Sequence, residues 1–163
     1  MKYTIEDWPA FEVSGFKESI VVEESFQKIP VLWDEALKSN RFKELIDLWK
    51  RADMRPVGVL GVAYGVEGSA TSMMDYILGV TTYVDVVECS RMEIPKMMQT
   101  IKIPKAKWIV IQADGDAAEA VQEVYKTFYS QWLPNSGYQL ADLPVVECYK
   151  QNGHQEVWIA IQK

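Results

Sequence analysis

The stretch Pro-Val-Val-Glu-Cys-Tyr, residues 144–149, is a short β-type run with one carboxylate, Glu147, at its centre. A turn at residues 151–154 and a second apolar run at residues 156–162 follow it, an arrangement typical of a β-hairpin. Successive side chains of a strand point to opposite faces, so Glu147 and Cys148 lie on different faces. A carboxylate inside a strand indicates either an exposed edge or a functional site.

Length and composition indicate one globular domain. The 163 residues are 48% apolar and 25% charged, which are ordinary values for a compact protein and exclude a disordered chain. The formal net charge is −6 and no basic cluster is present, whereas direct nucleic-acid binding needs a concentrated cationic face. The first residues lack the apolar core of a signal peptide, and no apolar run is long enough to span a bilayer. We therefore expect a cytoplasmic protein without direct nucleic-acid or membrane partners.

Cysteine and histidine are too few for most metal or nucleophile chemistry. Cys89 and Cys148 lie in apolar contexts without metal-ligand spacing, which is typical of buried thiols in a reducing compartment. His154, the single histidine, lies in a polar turn, so a zinc site, a histidine-based triad and haem ligation are all poorly supported. We expect no metal and no cofactor.

Hydrophobic periodicity predicts an α+β fold made of two successive β-α-β-β halves. In the first half the predicted elements are a strand at 11–16, helices at 25–37 and 41–53, and strands at 57–64 and 75–83. Residues 84–107 connect the halves and contain a short strand at 100–103. In the second half the predicted elements are a strand at 108–113, a helix at 117–132, and strands at 145–149 and 156–162. We predict a single domain over residues 1–163, with antiparallel sheets and pseudo-repeat halves of roughly 1–83 and 100–163.

Local signals mark the ends of several elements. Pro30 is compatible with a helix only in its first turn, and Asn40 is a candidate N-cap of the second helix. Asp116 and Glu119 fit a capping box for the third helix. Turns are predicted at residues 65–69 and, around Gly153, between the last two strands.

Side-chain parity divides the strands into a helix-covered face and an opposite face. We expect the small and aliphatic residues to face the helices: Ile109, Ile111, Ala113, Val146, Cys148, Val157, Ile159 and Ile161. The opposite face then carries Trp108, Val110, Gln112, Val145, Glu147, Tyr149, Glu156, Trp158 and Ala160. In the first half the same parity argument adds to this opposite face Tyr64 with Leu60 and Val62, and Tyr76 with Leu78 and Val80. A face with several large rings around one or two acids is more typical of a binding cleft than of a core or a solvated surface.

The residues assigned to a binding cleft can also be explained by structural roles alone. An edge-strand carboxylate in water, or in an ion pair with Lys150, also explains Glu147. Packing at the rim of the sheet explains Trp108 and Trp158 as well as a ligand-binding role does. Trp33 lies on a helix stripe that is typical of core packing.

A set of short motifs occurs in order along nearly the whole chain. Those in the first half are Val-Ser-Gly-Phe at 13–16, Ile-Pro-Val-Leu-Trp at 29–33, Ala-Tyr-Gly-Val at 63–66 and Asp-Tyr-Ile-Leu-Gly-Val at 75–80. Those in the second half are Ile-Pro-Lys-Ala-Lys-Trp at 103–108, Gln-Trp-Leu-Pro-Asn-Ser-Gly-Tyr at 131–138, Val-Glu-Cys-Tyr at 146–149 and Glu-Val-Trp-Ile-Ala-Ile at 156–161. Together these motifs resemble the GyrI-like small-molecule-binding domains, also called AraC-type effector-binding domains.

The resemblance implies a duplicated β-α-β-β fold whose halves enclose a central ligand cleft. It also implies that Glu147 lies on the cleft floor among tyrosine and tryptophan rings, with Tyr149 two residues further on. A buried carboxylate is costly until a cation pairs with it, and aromatic rings add stacking and cation–π contacts. Such a site binds many hydrophobic or cationic aromatic molecules. The expected ligand-binding residues are Glu147, Tyr149, Trp108, Trp158, Tyr64, Tyr76 and Trp33.

Three functions are compatible with such a site. The first is a stand-alone sensor or sequestering protein, and the sequence shows no helix-turn-helix segment for direct transcription regulation by this chain alone. The second, implied by stand-alone relatives, is a hydrolase that opens the cyclopropane ring of genotoxic natural products, with Glu147 as the catalytic acid or water-orienting group. The third is a protein-interaction inhibitor of the gyrase-inhibitor type, whose acidic surface meets a basic partner.

Overall fold

The computed structural model describes residues 1–65, 72–150 and 153–163. Its helices are α1 (Ser25–Lys38), α2 (Asn40–Ala52), α3 (Ala117–Thr127) and α4 (Leu133–Ser136). Its strands are β1 (Tyr3–Trp8), β2 (Phe11–Val21), β3 (Val59–Gly65), β4 (Met73–Val84), β5 (Gln99–Ile103), β6 (Ala106–Asp114), β7 (Gln139–Leu140), β8 (Val145–Tyr149) and β9 (His154–Gln162). A 3-10 turn, Val22–Glu24, precedes α1, and a π-helical turn, Phe128–Trp132, joins α3 to α4.

The strands form one antiparallel sheet in the order β1-β6-β9-β8-β3-β4-β2-β5, with β7 added beside β9. The pairing of β3 with β8 joins the two halves, and Gly61 lies directly opposite Glu147 there. The same three-strand order runs outward on each side of this pairing, as β3-β4-β2 and as β8-β9-β6. The predicted α+β fold with antiparallel pairing is confirmed, and the sheets of its two halves are continuous.

The two edge strands are exchanged between the halves. β1, which precedes β2 in the chain, pairs with β6, and β5, which precedes β6, pairs with β2. Each half therefore completes the sheet of the other, which favours one cooperative unit over two separable ones. The residue boundaries of the halves, roughly 1–83 and 100–163, stay a prediction.

The helices cover one face of the sheet because each carries an apolar stripe. Leu45 and Leu48 of α2, and Val121 and Val124 of α3, are buried against the strands. Side chains at this spacing lie on one side of a helix, and burying each one stabilises the fold by about 1.5–3 kcal/mol. The helix-covered face holds two apolar clusters, one under α1 and α2 and one under α3.

The helix ends test three local predictions. The N-cap of α2 is Ser39 rather than Asn40, because the Ser39 hydroxyl accepts a hydrogen bond from the backbone N–H two residues later. Asp116 caps α3 as predicted, accepting from the backbone N–H of Glu119 at 3.4 Å. Pro30 lies beyond the first turn of α1, so the prediction that confined it to the first turn is wrong.

The face opposite to the helices is also buried. Trp108 and Trp158 are 0% exposed there, and Phe11 is 1% exposed. The rings of Phe11 in β2 and Trp108 in β6 lie 6.1 Å apart, although the sheet order places four strands between them. The sheet therefore curves until its two ends meet across this face, and both of its faces form core.

Two strands have no counterpart among the predicted elements. β1 carries Glu6 and Asp7, and β7 has only two residues, so neither shows a long apolar pattern. The turn predicted at residues 65–69 lies largely outside the described residues, as does the start of the turn before Gly153; Gly153 itself has the positive φ of 71° that suits a tight turn. None of the helices in the described ranges combines the length and apolarity needed to cross a bilayer.

Candidate ligand-binding cleft

A cleft of about 320 Å³ opens between α1 and α3 on the helix-covered face. Its floor is β8, which contributes Glu147 and Tyr149. Its walls consist of Ser25, Phe26, Ile29 and Pro30 from α1 and Ala118, Val121, Gln122 and Tyr125 from α3. Phe26 is 84% exposed at this wall. The cleft is therefore largely apolar and aromatic, with one carboxylate at its base.

Two phenols hold the Glu147 carboxylate in place. The Tyr149 hydroxyl donates to Oε1 at 2.5 Å, and the Tyr125 hydroxyl donates to Oε2 at 3.0 Å. Tyr149 lies two residues further along the same strand face, whereas Tyr125 reaches down from α3. Each carboxylate oxygen thus has one protein donor, and hydrogen bonds to an ionised acceptor are the stronger kind.

Burial raises the pKa of Glu147 above its ordinary value, because the charged form loses hydration. The hydrogen bonds from Tyr149 and Tyr125 stabilise the ionised form and oppose part of this rise. The pKa of each phenol is also raised, first by burial and then by the neighbouring carboxylate. The site therefore combines phenols that stay protonated with one carboxyl group whose charge is costly.

Glu147 lacks a cationic partner within the described part of the chain. No lysine or arginine there forms an ion pair with it, and Lys150 instead binds Glu156 at 2.9 Å. The interpretation of Glu147 as the ion-pair partner of Lys150 is therefore wrong. The same ranges contain no group of three or more histidine, cysteine, aspartate or glutamate side chains placed to hold a metal ion.

Trp33 and Tyr76 form a second layer behind Tyr149. The Trp33 ring packs edge-on against Tyr149 with centroids 4.9 Å apart, and its Nε1–H donates to the Tyr76 hydroxyl at 2.8 Å. Burial, and then the charge of Glu147, raise the pKa of Tyr76, which is 2% exposed. The Tyr76 hydroxyl occupies the space above Gly61, where a Cβ atom would overlap the phenol oxygen. The glycine therefore lets Tyr76 reach over the strand that lies beside Glu147.

We expect Gly61→Ala to destabilise the fold by about 1–3 kcal/mol, because the added methyl group would push the Tyr76 hydroxyl away from Trp33. Denaturant unfolding measures this change. Combining the substitution with Tyr76→Phe, which removes the overlapping oxygen, should recover part of the loss. If the two substitutions changed the free energy of unfolding in a strictly additive way, the contact between residue 61 and the Tyr76 hydroxyl would be contradicted.

The structure brings together four of the seven expected ligand-binding residues. Glu147, Tyr149, Tyr76 and Trp33 form one connected group on the helix-covered face. Trp108, Trp158 and Tyr64 belong instead to the apolar cluster on the opposite face. Trp108 and Trp158 are fully buried there, so they pack in the core of that face and not at the rim of the sheet.

The predicted face assignment of β8 is wrong. Val146 lies directly opposite Trp158, and Glu147 lies opposite Val157. Directly opposed residues of an antiparallel pair share a face, so Val146 and Cys148 point away from the helices, whereas Val145, Glu147 and Tyr149 point toward them.

The helix-facing assignments on β6 and β9 are confirmed. Ile109, Ile111, Ala113, Val157, Ile159 and Ile161 all pack in the cluster under α3. Tyr64 lies with Leu60 and Val62 on the opposite face, as expected. The expectation that Tyr76 shares that face is wrong, because Tyr76 lies opposite Ala63 and packs with Leu78 and Val80 under α1 and α2.

The prediction from sequence misses Tyr125. This residue follows Val121 by four positions on the apolar stripe of α3, where periodicity makes it indistinguishable from a core residue. The available signal is its hydroxyl, since a buried tyrosine usually needs a hydrogen-bond partner. Only the packing of α3 over β8 identifies that partner as Glu147.

A curved antiparallel sheet with a cleft between the helices of its two halves, and a carboxylate on the cleft floor without a cationic partner in the described residues, defines an α+β domain of the small-molecule-binding class. The chain belongs to the GyrI-like family: the model of the GyrI-like small molecule binding domain matches residues 1–162. The family resemblance inferred from the motifs is therefore confirmed.

Several solved structures share this fold. A candidate bacterial transcription regulation protein from Staphylococcus aureus MU50 has a TM-score of 0.77 at 21% identity, and the alignment covers 100% of this chain and 99% of that chain. The protein SAV2435, bound to tetraphenylphosphonium, has a TM-score of 0.76 at 18% identity, with 99% and 94% coverage. An integron cassette protein from Vibrio cholerae has a TM-score of 0.67 at 19% identity, with 98% and 95% coverage. No curated protein is significantly similar to the chain in sequence.

Proposed function

We propose that the cleft binds hydrophobic cations that carry aromatic groups, and that the protein acts as a stand-alone sensor or sequestering protein for them. The observation that supports this function is the Glu147 carboxylate, which is desolvated in an apolar cleft without a cation beside it in the described residues. A ligand cation would supply the missing charge. The cost of removing both charges from water is offset only when they meet.

The lining of the cleft favours an aromatic ligand. Tyr149 and Tyr125 at the base, and Phe26 at one wall, present rings to the cavity. Rings give stacking and cation–π contacts that do not depend on the hydrogen-bonding pattern of the ligand. A volume of about 320 Å³ lies at the lower end of the range for sites that hold drug-sized molecules. The cleft therefore suits a range of flat or ring-bearing cations.

Tetraphenylphosphonium is a suitable probe, since SAV2435 binds it with the same fold. A titration followed by tryptophan fluorescence should show saturable quenching, because Trp33 packs against the cleft residue Tyr149. Trp33→Phe should remove most of this signal. Triphenylphosphine oxide, a neutral molecule of similar shape, should bind more weakly than the cation. Absence of saturation with a panel of aromatic cations would sink the proposal.

A second function, hydrolytic opening of a strained ring, is favoured by the raised pKa of Glu147. A carboxyl group whose pKa is raised by burial keeps its proton to higher pH and can then act as a general acid, and Tyr125 or Tyr149 could hydrogen-bond the substrate oxygen on which charge develops. Mass spectrometry of a cyclopropane-bearing alkylating agent after incubation with the protein would reveal the water adduct. Turnover no faster than in buffer would remove this function for that substrate. Inhibition of a protein partner stays a prediction.

A further inference from the structure

β1 forms one edge of the sheet, and its outer side lacks a partner strand in the described ranges. The backbone N–H of Gln112 donates to the carbonyl of Lys2 at 2.9 Å, in line with the register of β1 and β6. Hydrogen-bonded positions alternate along an antiparallel ladder, so the even-numbered residues of β1 bond to β6. Tyr3, Ile5 and Asp7 therefore direct their backbone N–H and C=O groups outward.

The outer side of β1 also exposes apolar side chains. Tyr3 is 42% exposed and Ile5 is 37% exposed, although both continue the helix-covered face. A groove of about 500 Å³ runs beside them and is bordered by Trp132 and Tyr138. Proteins usually protect sheet edges with charged or polar side chains. β5, the other edge, follows this rule with exposed Gln99, Thr100 and Lys102, whereas β1 exposes Tyr3 and Ile5 beside its polar Thr4 and Asp7.

We propose that β1 pairs antiparallel with β1 of a second copy of this chain, with Ile5 opposite Ile5 of the partner subunit. The three outward residues are symmetric about Ile5, so Tyr3 of each copy lies opposite Asp7 of the partner subunit. This register lets every outward backbone group form a hydrogen bond, about six in all. The edge is therefore complementary to itself.

Charge and side-chain pairing agree with this register. Lys2 lies at one end of β1 and Glu6 and Asp7 lie at the other, so antiparallel pairing places the basic end of one copy beside the acidic end of the other. No like charges are directly opposed, which would destabilise the pairing. The two Ile5 side chains meet on the helix-covered face, where both are partly exposed in the single chain.

Sedimentation velocity should show a concentration-dependent dimer. Ile5→Pro removes the outward N–H without breaking the ladder to β6, since β6 does not bond to that group, and it should abolish the dimer while thermal unfolding shows a folded chain. Ile5→Val keeps both the N–H and the apolar surface, and should remain dimeric. A protein that stays monomeric up to millimolar concentration, or a dimer that Ile5→Pro does not weaken, would overturn the proposal.

Cross-linking tests the register itself. In a Cys89→Ser background, Ile5→Cys should give a disulfide-linked dimer under mild oxidation, because hydrogen-bonded pairs lie about 5.5 Å apart between Cα atoms. The other native thiol, Cys148, is fully buried. Thr4→Cys is the matched control, since Thr4 would lie opposite Glu6 of the partner subunit and its two copies would be too far apart to bond. Equal cross-linking of both variants, or of neither, would overturn the register.

Discussion

Glu147→Gln is expected to lower the affinity for tetraphenylphosphonium by about 2–5 kcal/mol, which is roughly 30-fold or more. The substitution keeps the size and shape of the side chain and removes only the charge. The cleft would then offer the cation rings but no carboxylate, while the cation would still lose its hydration on entry. Fluorescence titration of both proteins at neutral pH measures the difference.

The same substitution is expected to stabilise the free protein. In its ionised form the carboxylate is desolvated and has only two phenol donors in the described structure. The glutamine carbonyl can accept from one phenol, and its NH₂ group can donate to the other phenol oxygen. Each kcal/mol gained should raise the Tm by about 2–4 °C in a chain of this size. At saturating ligand the wild type should have the higher Tm of the two proteins, since only the wild type would be strongly stabilised by binding.

Glu12→Gln is the matched control for this experiment. Glu12 is also a strand carboxylate of low exposure, but it binds Arg91 and lines a different cavity. Its substitution should leave the affinity for the cation unchanged. Equal losses of affinity in Glu12→Gln and Glu147→Gln would mean that the overall charge of the protein, and not the cleft, attracts the ligand. Undiminished affinity in Glu147→Gln would contradict pairing of the cation with this carboxylate.

Much of the fold can be predicted from the sequence because it depends on local periodicity. The stripe that includes Val121 and Val124 predicts α3 and the face it buries, and the alternation of Ile109 and Ile111 predicts the side of β6 that faces it. The exchange of β1 and β5 between the halves cannot be predicted in this way. It depends on pairing between residues far apart in the chain, such as Ile5 with Ile109, and no local pattern encodes such a pairing.

The candidate site shows why side-chain type alone does not identify a face. Val146 and Cys148 are small and apolar, which favours the helix-covered face only if the other face is solvated or open. Here the other face is core as well, because the curved sheet buries Trp108 and Trp158 completely. Only the register of β8 with β9, which sets Val146 opposite Trp158, settles the assignment. The sequence therefore predicts Glu147 as the central residue but misplaces three of its proposed aromatic neighbours.

The affinity for a permanently charged cation is expected to rise with pH and to level off above the pKa of Glu147 in the free protein. Burial raises that pKa, so the free cleft holds a neutral carboxyl group at more acid pH. The cation favours the ionised form, so binding below the pKa must release a proton. Affinity should then rise about tenfold per pH unit. Calorimetric titration in two buffers of different ionisation enthalpy counts the protons, and Glu147→Gln should release none.

The groups around Glu147 permit the released proton to be assigned to its carboxyl group. The titratable side chains that face it are Tyr125 from α3, Tyr149 on β8 and Tyr76 from β4, and the pKa of each is raised by burial. All three stay protonated in the acid and neutral range, so the released proton comes from Glu147. Elsewhere, the hydrogen bond from Arg55 lowers the pKa of Glu6. Glu6 therefore also makes the stability of the free protein depend on pH. Comparison with Glu147→Gln, which keeps Glu6 and Arg55, isolates the contribution of Glu147.

The direction in which the pKa of Glu147 is shifted determines whether the stability of the free protein rises or falls with pH. The pKa of Glu147 in the folded chain lies above its unfolded value, so the folded chain binds more protons between the two. Its contribution to stability is fully present below the unfolded pKa, which is about 4.3, and is lost as the pH rises through the folded pKa. The stability of the wild type relative to Glu147→Gln should therefore fall from acid to neutral pH. A difference that grows with pH would contradict a raised pKa.

Tyr125→Phe should move the pH at which the affinity levels off to a higher value. The Tyr125 hydroxyl stabilises the ionised carboxylate, so its removal leaves burial less opposed and raises the pKa of Glu147 further. Tyr129→Phe is the matched control, because Tyr129 stacks on Tyr125 at 6.4 Å and forms no hydrogen bond with Glu147 in the described structure. A shift in Tyr125→Phe alone would locate the titrating group beside that phenol. A shift to lower pH would mean that Tyr125 does not donate to Glu147 in solution.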